Sequence, residues 1–513
     1  MNKKKVFQIF ILILLMLWYG FFLFHKIDLT TVDLGRHIKN GELILNGDFG
    51  ILKNNLYSYT ESDFKVINHH WGGGVFFYLI FKVVGFVGLS FFYLFLSLFI
   101  FYLFFRIAWK ESNFYIAFTL SLLLIPLIAQ RTEIRPEIFS YLFIALFFWI
   151  LWNWKNKKIS YKWLFILPIL EIIWVNTHIY FIFGPALIGL FLVDRLIKKK
   201  KVFNKFGLIL ILTGLASLIN PFFIKGVLEP FDIFKNYGYR IVENQSVWFL
   251  QKLGIVNNPN LILYEIVLGI LILSFILLLI LKRKRISFIY FCLAFVWSIL
   301  GWLAIRNFTI FGLFALPIIS YNINNILNKK IKLKFLNAKI FFTFIILSIF
   351  LIIFMIYQQK LPLNKEIIGF GLISENNQSA QFFKDNNIKG PIFNNYDIGG
   401  YLIYHLYPQE KVFTDNRPEA YSVSFFEDKY IPAQQDNSVW QKEIEEYNFN
   451  SIFFSHRDYT PWGQNFLIER VNDPEWAVVF ADQYAIIFLK RNSLNQSIIE
   501  KYEIPKDYFK VVQ

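Results

Sequence analysis

Long apolar segments divide most of this 513-residue chain, and they constrain its fold more than any other feature. A helix needs about 20 mostly apolar residues to cross the hydrocarbon core of a membrane. Segments that approach this length lie near residues 6–25, 74–105, 114–129, 137–154, 163–176, 179–194, 206–220, 261–281, 286–304, 308–323 and 338–357. The chain is 56% hydrophobic and only 17% charged, which is unlike a soluble domain. The sequence therefore predicts a polytopic α-helical membrane protein with about 11 spans.

The basic residues of the core predict how these spans are oriented. They cluster near residues 3–5, 106–110, 155–162, 195–205, 282–285 and 329–334. If the spans alternate, all these clusters face the side where the chain begins, as expected for cytoplasmic connections. The net charge of +16 is thus an orientation signal and does not indicate a nucleic-acid partner. We expect a multi-pass protein of the cell inner or plasma membrane, with a cytoplasmic N-terminus and a first span that is retained.

The composition changes after residue 357, so we predict a membrane core over 1–357 and a soluble domain over 358–513. Alternating strands and helices indicate a small α/β domain with a partly parallel sheet. The predicted strands cover 390–395, 410–414, 450–455, 476–481 and 484–490, and the predicted helices cover 375–388, 399–406, 438–448 and 462–471. An odd number of spans places this domain outside.

The first external loop, residues 26–73, is polar and rich in functional side chains. Asp33, Arg36 and His37 fall within five residues, and a helix would put Asp33 and His37 on one face. At the far end, His69 and His70 stand where the chain re-enters the membrane. Asp33 is interpreted either as a helix cap or solvated loop acid, or as a reactive carboxylate.

Other charged residues lie at span ends on the same predicted side, where ionisable groups usually mark a substrate path. Arg131 and Arg135 are four residues apart, so we expect them on one helical face. They either pair with Glu133 and Glu137 or bind phosphate oxygens, for which guanidinium groups are well suited. His178, Glu243 and Arg306 follow in later connections. Arg306 is read either as a phosphate ligand or as an interface anchor.

Metal and nucleotide signatures are weak in this sequence. The single cysteine, Cys292, excludes an internal disulfide and a cysteine-rich metal site. Adjacent histidines such as His69 and His70 rarely chelate one ion. A hard cation, Mg²⁺ or Mn²⁺, held by Asp33 and a phosphate would leave no spacing signature. The sequence contains no Walker A loop, complete GxGxxG motif or nucleophile elbow.

Short motifs give this layout a recognisable family resemblance. The pieces that carry it are VDLGRHI around Asp33, NHHW, RTEIRPE, WVNTH and AIRNF, with VFTDNRPEAY in the tail. The chain resembles the polyprenyl-phosphate-sugar-dependent glycosyltransferases of the C-type superfamily, and most closely an uncharacterised bacterial branch. Val32 replaces the first of the paired acids found in protein mannosyltransferases, and the tail lacks the WWD-type signature of oligosaccharyltransferases. These departures leave open whether the acceptor is a glycan, a lipid or a protein.

The resemblance implies an inverting transfer of a sugar from a polyprenyl-phosphate donor on the outer face. Such a reaction needs a base for the acceptor proton and cations for the departing phosphate. We therefore assign Asp33 as general base. The residues expected to bind substrate are Arg36, His37, His70, Arg131, Glu133, Arg135, His178, Glu243 and Arg306. The alternative is a lipid-linked-sugar flippase or transporter without transferase activity, which would also have a polar outer cavity.

Overall fold

The computed structural model describes residues 3–198, 203–232, 235–254, 258–282, 286–327, 367–458 and 460–509. Within these ranges the chain is mostly helical and ends in a small sheet domain, as predicted. The helices before the sheet domain are α1 Lys3–Leu23, α2 Leu34–Leu45, α3 Trp71–Glu111, α4 Phe114–Ile128, α5 Glu137–Lys155, α6 Ile166–Val175, α7 Phe183–Ile197, α8 Phe203–Ala216, α9 Ile224–Asp232, α10 Val247–Leu253, α11 Pro259–Lys282, α12 Phe288–Leu303 and α13 Phe308–Ile326.

Helix length decides which apolar segments are able to cross a membrane. Six helices of the described chain are long and apolar enough: Lys5–Leu23, Trp71–Glu111, Glu137–Lys155, Ile179–Ile197, Pro259–Leu281 and Ile305–Ile326. Three shorter apolar helices cover Phe114–Ile128, Phe206–Ala216 and Phe288–Leu303. The expected count of eleven is thus not confirmed. The predicted span at 338–357, the domain boundary at 357 and the basic cluster at 329–334 lie outside the described residues.

The second predicted span is longer in the structure than a membrane requires. At about 1.5 Å per residue, the 41 residues of α3 would extend about 60 Å, twice the hydrocarbon core. Gly85 interrupts the helix with a left-handed φ of 65°, a conformation that glycine adopts without a Cβ clash. The part before Gly85 packs against α2 and, through Phe76 and Phe77, against Phe139 of α5.

Two glycines let α2 lie unusually close to the beginning of α3. A Cβ added at Gly41 would lie 2.3 Å from the carbonyl oxygen of Gly74, and one added at Gly74 would lie 2.7 Å from the carbonyl oxygen of His37. This close crossing fixes the first turn of α2, and with it Asp33 and Arg36, beside the start of α3. The glycines therefore position the polar cluster of the first loop.

We expect Gly41→Ala to destabilise the protein by about 1–3 kcal/mol, because the added methyl group forces apart two backbones that have no room to move. The midpoint of thermal unfolding in detergent measures this effect. Gly214→Ala in α8 is the matched control, since no atom lies within 4 Å of a Cβ there. Equal midpoints for the two variants would contradict the packing argument.

The C-terminal domain contains a four-stranded sheet of order β1-β2-β4-β3. Its strands are β1 Ile392–Asn394, β2 Ser451–Phe454, β3 Trp476–Ala481 and β4 Ile486–Lys490, and its helices are α14 Gln378–Asp385, α15 Gly399–Leu406, α16 Pro432–Gln435, α17 Asn437–Tyr447, α18 Pro461–Asn472 and α19 Gln496–Tyr502. β1 and β2 pair in parallel, with Phe393 opposite Ile452, and the other pairs are antiparallel. The partly parallel sheet is confirmed, and β1 and β2 are buried along their whole length, as expected for strands covered on both faces.

The strand predicted at 410–414 is reduced to single bridges at Val412. The side chain of Asn394 accepts a hydrogen bond from the backbone N–H of Phe413 at 2.9 Å and donates one to the carbonyl of Thr414 at 2.8 Å. These bonds replace the backbone pairing that a regular strand would need on this side. On its other side Val412 pairs with Ser58 of the first loop.

The first loop and the C-terminal domain are joined by hydrogen bonds between buried groups. The backbone N–H of Val412 donates to Tyr57 at 3.0 Å, and its carbonyl accepts from Tyr59 at 3.2 Å. The Asn55 side chain donates to the carbonyl of Ala420 at 2.9 Å and accepts from Arg417 at 2.7 Å. The two regions thus form one continuous structure around the space between them.

Candidate functional site

A cavity of about 420 Å³ lies between the helix bundle and the C-terminal domain. Its volume is within the range of small-molecule sites. Eight of the ten predicted site residues line it: Asp33, Arg36, His37, His70, Arg135, His178, Glu243 and Arg306. Arg131 and Glu133 are not among the lining residues. Five separate connections of the chain therefore meet here, together with residues of the C-terminal domain.

Asp33 occupies the N-cap position of α2 without acting as a cap. Its side chain bonds no backbone N–H of the helix. Instead, Oδ2 accepts hydrogen bonds from Arg36 Nη2 at 3.1 Å and His37 Nε2 at 3.3 Å. Oδ1 is buried, accepts no hydrogen bond and lies 3.7 Å from Arg135 Nε. The expected Asp33–His37 pairing is present, and one carboxylate oxygen is left for a ligand.

The charges around Asp33 determine its protonation state. Burial by itself raises the pKa of Asp33, but the positive charge of Arg135 and the neighbouring His37 and Arg36 hold the pKa well below its usual value. Burial, followed by the charge of Arg36, lowers the pKa of His37 to about 4. At neutral pH the pair is therefore an ionised carboxylate beside a neutral imidazole.

Arginine and glutamate side chains form an interlocked network under the cavity. Arg131 binds Glu137 through two hydrogen bonds of 3.0 and 2.9 Å and Glu243 through one of 2.6 Å. Arg135 donates to Glu133 at 2.7 Å and to Glu243 at 3.2 Å. The pairing of these arginines with neighbouring acids is thus present, and Arg131 is a residue behind the cavity that holds Glu137 and Glu243 in place.

The expectation that Arg131 and Arg135 share a helical face is wrong. No helix connects α4 and α5, because residues 129–136 form an irregular turn that ends at Pro136. Both guanidinium groups nevertheless contact the Glu243 carboxylate, Arg131 at 2.6 Å and Arg135 at 3.2 Å. Only Arg135 reaches the cavity surface, with 20% of its side chain exposed.

Arg306 enters the same network from the beginning of the last described helix of the bundle. It donates to Glu137 and, at 2.9 Å, to Asn244. Its Nε is buried and has no hydrogen-bond partner. The side chain is thus turned into the protein, unlike an anchor at a membrane surface, and it keeps one donor unused.

The histidines form a stack rather than a metal-binding cluster. The rings of His70 and His178 stack with centroids 5.0 Å apart, and His69 lies 4.0 Å from His70. His178 Nδ1 accepts a hydrogen bond from the backbone N–H of Tyr180 at 3.4 Å, so the Ser140 hydroxyl, 2.7 Å away, also donates to this nitrogen. The proton of His178 is therefore on Nε2, which is buried and has no partner. This N–H is a fixed donor for a bound ligand.

A divalent cation does not fit the ligands that this site offers. The carboxylates of Asp33, Glu137 and Glu243 each accept hydrogen bonds from guanidinium groups, and these positive charges would repel the ion. Over the described part of the chain, no three His, Cys, Asp or Glu residues are grouped so that they could hold a metal. The residues present thus favour an anionic ligand over a protein-held cation.

The far side of the cavity was missed by the sequence interpretation. It includes Glu229, Tyr237 and Tyr239 from the connection after α8, and Tyr396, Asp397 and Glu419 from the C-terminal domain. Asp397 follows β1, and the carboxyl end of a parallel strand is a common position for functional groups. That signal was present in the sequence. The tail residues Asp415 and Arg417 form a buried ion pair at 2.6 Å, and between them Asn416 accepts a hydrogen bond from Arg36 at 3.1 Å.

Comparison with solved structures shows a related fold. The chain is similar to the archaeal oligosaccharyltransferase AglB from Archaeoglobus fulgidus, whose structure is a complex with an inhibitory peptide and a dolichol-phosphate. The TM-score is 0.58 at 11% sequence identity, and the match covers 96% of this chain and 74% of the AglB chain. Neither a protein-family model nor a curated protein matches the sequence. At this identity the likeness is one of fold.

Proposed function

We propose that this protein is a membrane glycosyltransferase that moves a sugar from a polyprenyl-phosphate donor to an acceptor. The observation that carries the proposal is the free Oδ1 of Asp33, which shares a cavity with the guanidinium groups of Arg36, Arg135 and Arg306. The fold shared with AglB, which was solved with a lipid phosphate, supports the same conclusion. The C-type superfamily, and within it the bacterial branch named above, remains the family to which we assign the chain.

The chemistry we propose is a single inverting displacement. The acceptor oxygen or nitrogen forms a bond to the anomeric carbon while the bond from that carbon to the phosphate oxygen breaks. Asp33 takes the proton from the acceptor, and the polyprenyl phosphate leaves with the electron pair. Arg135 and Arg306 stabilise the charge on the departing phosphate. His37, His70 and His178 orient the sugar and the carboxylate.

The low pKa of Asp33 fits this role once the donor is bound. A carboxylate paired with guanidinium groups is a weak base, and catalytic bases work best near the ambient pH. The donor phosphate would share the positive charge of Arg135 and Arg36, so that the pKa of Asp33 rises in the complex. Substrate binding itself would thus activate the base.

The proposed arrangement in the membrane follows from the charge pattern of the connections. We propose a cytoplasmic N-terminus, about 11 spans and an external C-terminal domain, so that the cavity opens on the outer face. Arg131 and Glu133 would act from behind the cavity, Arg131 by holding Glu137 and Glu243. The partners would be a lipid-linked sugar and a glycan, lipid or protein acceptor.

The decisive test uses the full chain in lipid nanodiscs with short-chain polyprenyl-phosphate hexoses and a mixture of oligosaccharide acceptors. We expect release of polyprenyl phosphate together with glycosylated acceptor, detected by mass spectrometry. In proteoliposomes a flippase would move the intact donor across the bilayer without cleaving it. That outcome would replace the proposed function by transport.

A further inference from the structure

The cavity has two walls of different chemistry. We call the arginine wall the set Asp33, Arg36, Arg135, Glu137, Glu243 and Arg306, and the acidic wall the set Glu229, Tyr237, Tyr239, Tyr396, Asp397 and Glu419. In the arginine wall each carboxylate accepts a hydrogen bond from a guanidinium group. The carboxylates of the proposed donor site therefore all have a positively charged partner.

The carboxylates of the acidic wall have no such partners. Among the described residues, Glu229, Asp397 and Glu419 form no salt bridge and no side-chain hydrogen bond to another residue, although each lines the cavity. Asp397 is exposed to the cavity and Glu229 and Glu419 are half-buried. Three carboxyl groups without a salt bridge thus line one confined space, where a positively charged ligand would stabilise their ionised form.

The charged neighbours of these three carboxyl groups do not neutralise them. Burial, and then the like charge of Asp458, raises the pKa of Asp397 to about 7. Burial, and then Asp232 and Glu419, raises the pKa of Glu229 to about 7. Two cationic residues, Lys235 and Arg240, also line the cavity, but both are exposed and neither forms a salt bridge with Glu229, Asp397 or Glu419. Lys235 instead pairs with Asp232 at 2.8 Å.

Glu419 has the most mixed surroundings of the three. Burial raises its pKa, Arg36 and Arg417 oppose that effect, and Asp415 adds to it. Both of those arginines are already paired, Arg36 with Asp33 and Arg417 with Asp415. Asp397, whose charged neighbour Asp458 is also an acid, is therefore the strongest position for a cationic ligand.

Aromatic side chains complete the acidic wall. The rings of Tyr239 and Tyr396 stack with centroids 4.2 Å apart and planes 24° apart. Tyr396 is only 5% exposed, and its buried hydroxyl group has no hydrogen-bond partner. Tyr237 and Tyr239 are half-buried in the cavity lining. Flat rings beside carboxylates and an unsatisfied hydroxyl make a surface that suits a polar ring such as a sugar.

We propose that the acidic wall is the acceptor subsite and that Asp397 binds a protonated amino group of the acceptor. The assignment of this wall as the acceptor subsite rests on the proposed function, whereas the amine-binding site does not. Tyr239, which stacks on Tyr396, packs against the sugar ring. The Tyr396 hydroxyl forms a hydrogen bond with the sugar. A phosphate or carboxylate group on the acceptor would be repelled, so the favoured acceptor is an amino-sugar glycan.

The test measures binding by calorimetry with the full chain in nanodiscs and no donor. The probes are a tetramer of glucosamine and its fully N-acetylated counterpart, which differ in charge at the same ring. We expect the glucosamine tetramer to bind about tenfold more tightly, as one charge-assisted hydrogen bond allows. Asp397→Asn should abolish the preference, whereas Asp428→Asn, at an exposed carboxylate of the same domain, should keep it.

Equal affinity for the two tetramers, or an unchanged preference in Asp397→Asn, would overturn the inference. Glu419→Gln provides a second variant and should reduce the preference if Asp397→Asn folds poorly. Adding the polyprenyl-phosphate donor separates the two proposals. Sugar transfer with no preference for the amine would refute the acceptor class alone, and an amine preference without any transfer would refute the proposed function alone.

Discussion

Replacing Asp33 by Asn is expected to lower the rate of sugar transfer by about 10²–10⁴-fold, the range that a general base contributes. Asn keeps the size of the side chain but has no negative charge and cannot take up a proton. Transfer to the acceptor is measured with the purified full chain in nanodiscs. The amount of protein in the membrane should stay the same, because α2 is held by packing against α3 and not by an Asp33 cap.

The matched control for this variant is Asp63→Asn in the same loop, where the carboxylate is exposed. It should leave transfer unchanged. If Asp33→Asn retained full activity, Asp33 would not be the base. If both variants lost activity, the loss would reflect the loop as a whole and not the carboxylate.

The pH profile of the unchanged protein gives a second readout of Asp33. Because its pKa lies well below the usual value in the free protein, the fall of kcat/KM on acidification should begin below about pH 4. In the donor complex the phosphate takes over part of the guanidinium charge and the pKa rises. The acid limb of kcat should therefore lie at a higher pH than that of kcat/KM, and coincident limbs would argue against activation by the donor.

Replacing Glu137 by Ala is expected to cost about 3–5 kcal/mol of stability, since it leaves buried guanidinium groups without their counter-charge. Glu137 is 5% exposed and binds both Arg131 and Arg306. The loss is measured as a lower midpoint of thermal unfolding in detergent. Activity should also fall, because Arg306 loses the partner that orients it.

Glu133→Ala is the matched control for that variant. Its carboxylate also pairs with an arginine, Arg135, but 38% of the side chain is exposed. Solvent replaces such a partner easily, and exposed pairs contribute about 0–1 kcal/mol. Similar midpoints for the two variants would show that Glu137 is less critical to the network than its contacts indicate.

Local sequence signals were enough to predict much of this fold. Apolar composition located the long helices, because burial in a membrane or a bundle demands it along the whole segment. Helical spacing alone predicted that Asp33 and His37 lie on one face. In the C-terminal domain, the predicted helix at 399–406 matches α15, and four predicted strands coincide with β1, β2, β3 and β4 within two residues.

Features that depend on contacts between distant residues could not be predicted from the local sequence. Arg131 and Arg135 do not lie on one helical face because a turn before Pro136 replaces the expected helix. The strand expected around Val412 does not form, because the side chain of Asn394 takes the place of the backbone hydrogen-bond partners. The acidic wall arises only when Glu229 meets Asp397 and Glu419, which lie far along the chain in another domain. No spacing rule links such positions.

The backbone pairing of Val412 with Tyr57 and Tyr59 has a consequence for the evolution of the chain. A domain that is joined to a membrane segment only by a linker is easily exchanged for another domain. Here the tail forms backbone hydrogen bonds with the first loop and contributes Tyr396, Asp397 and Glu419 to the cavity lining, so an exchanged tail would lack these contacts. The first loop and the C-terminal domain are therefore expected to vary together across related proteins.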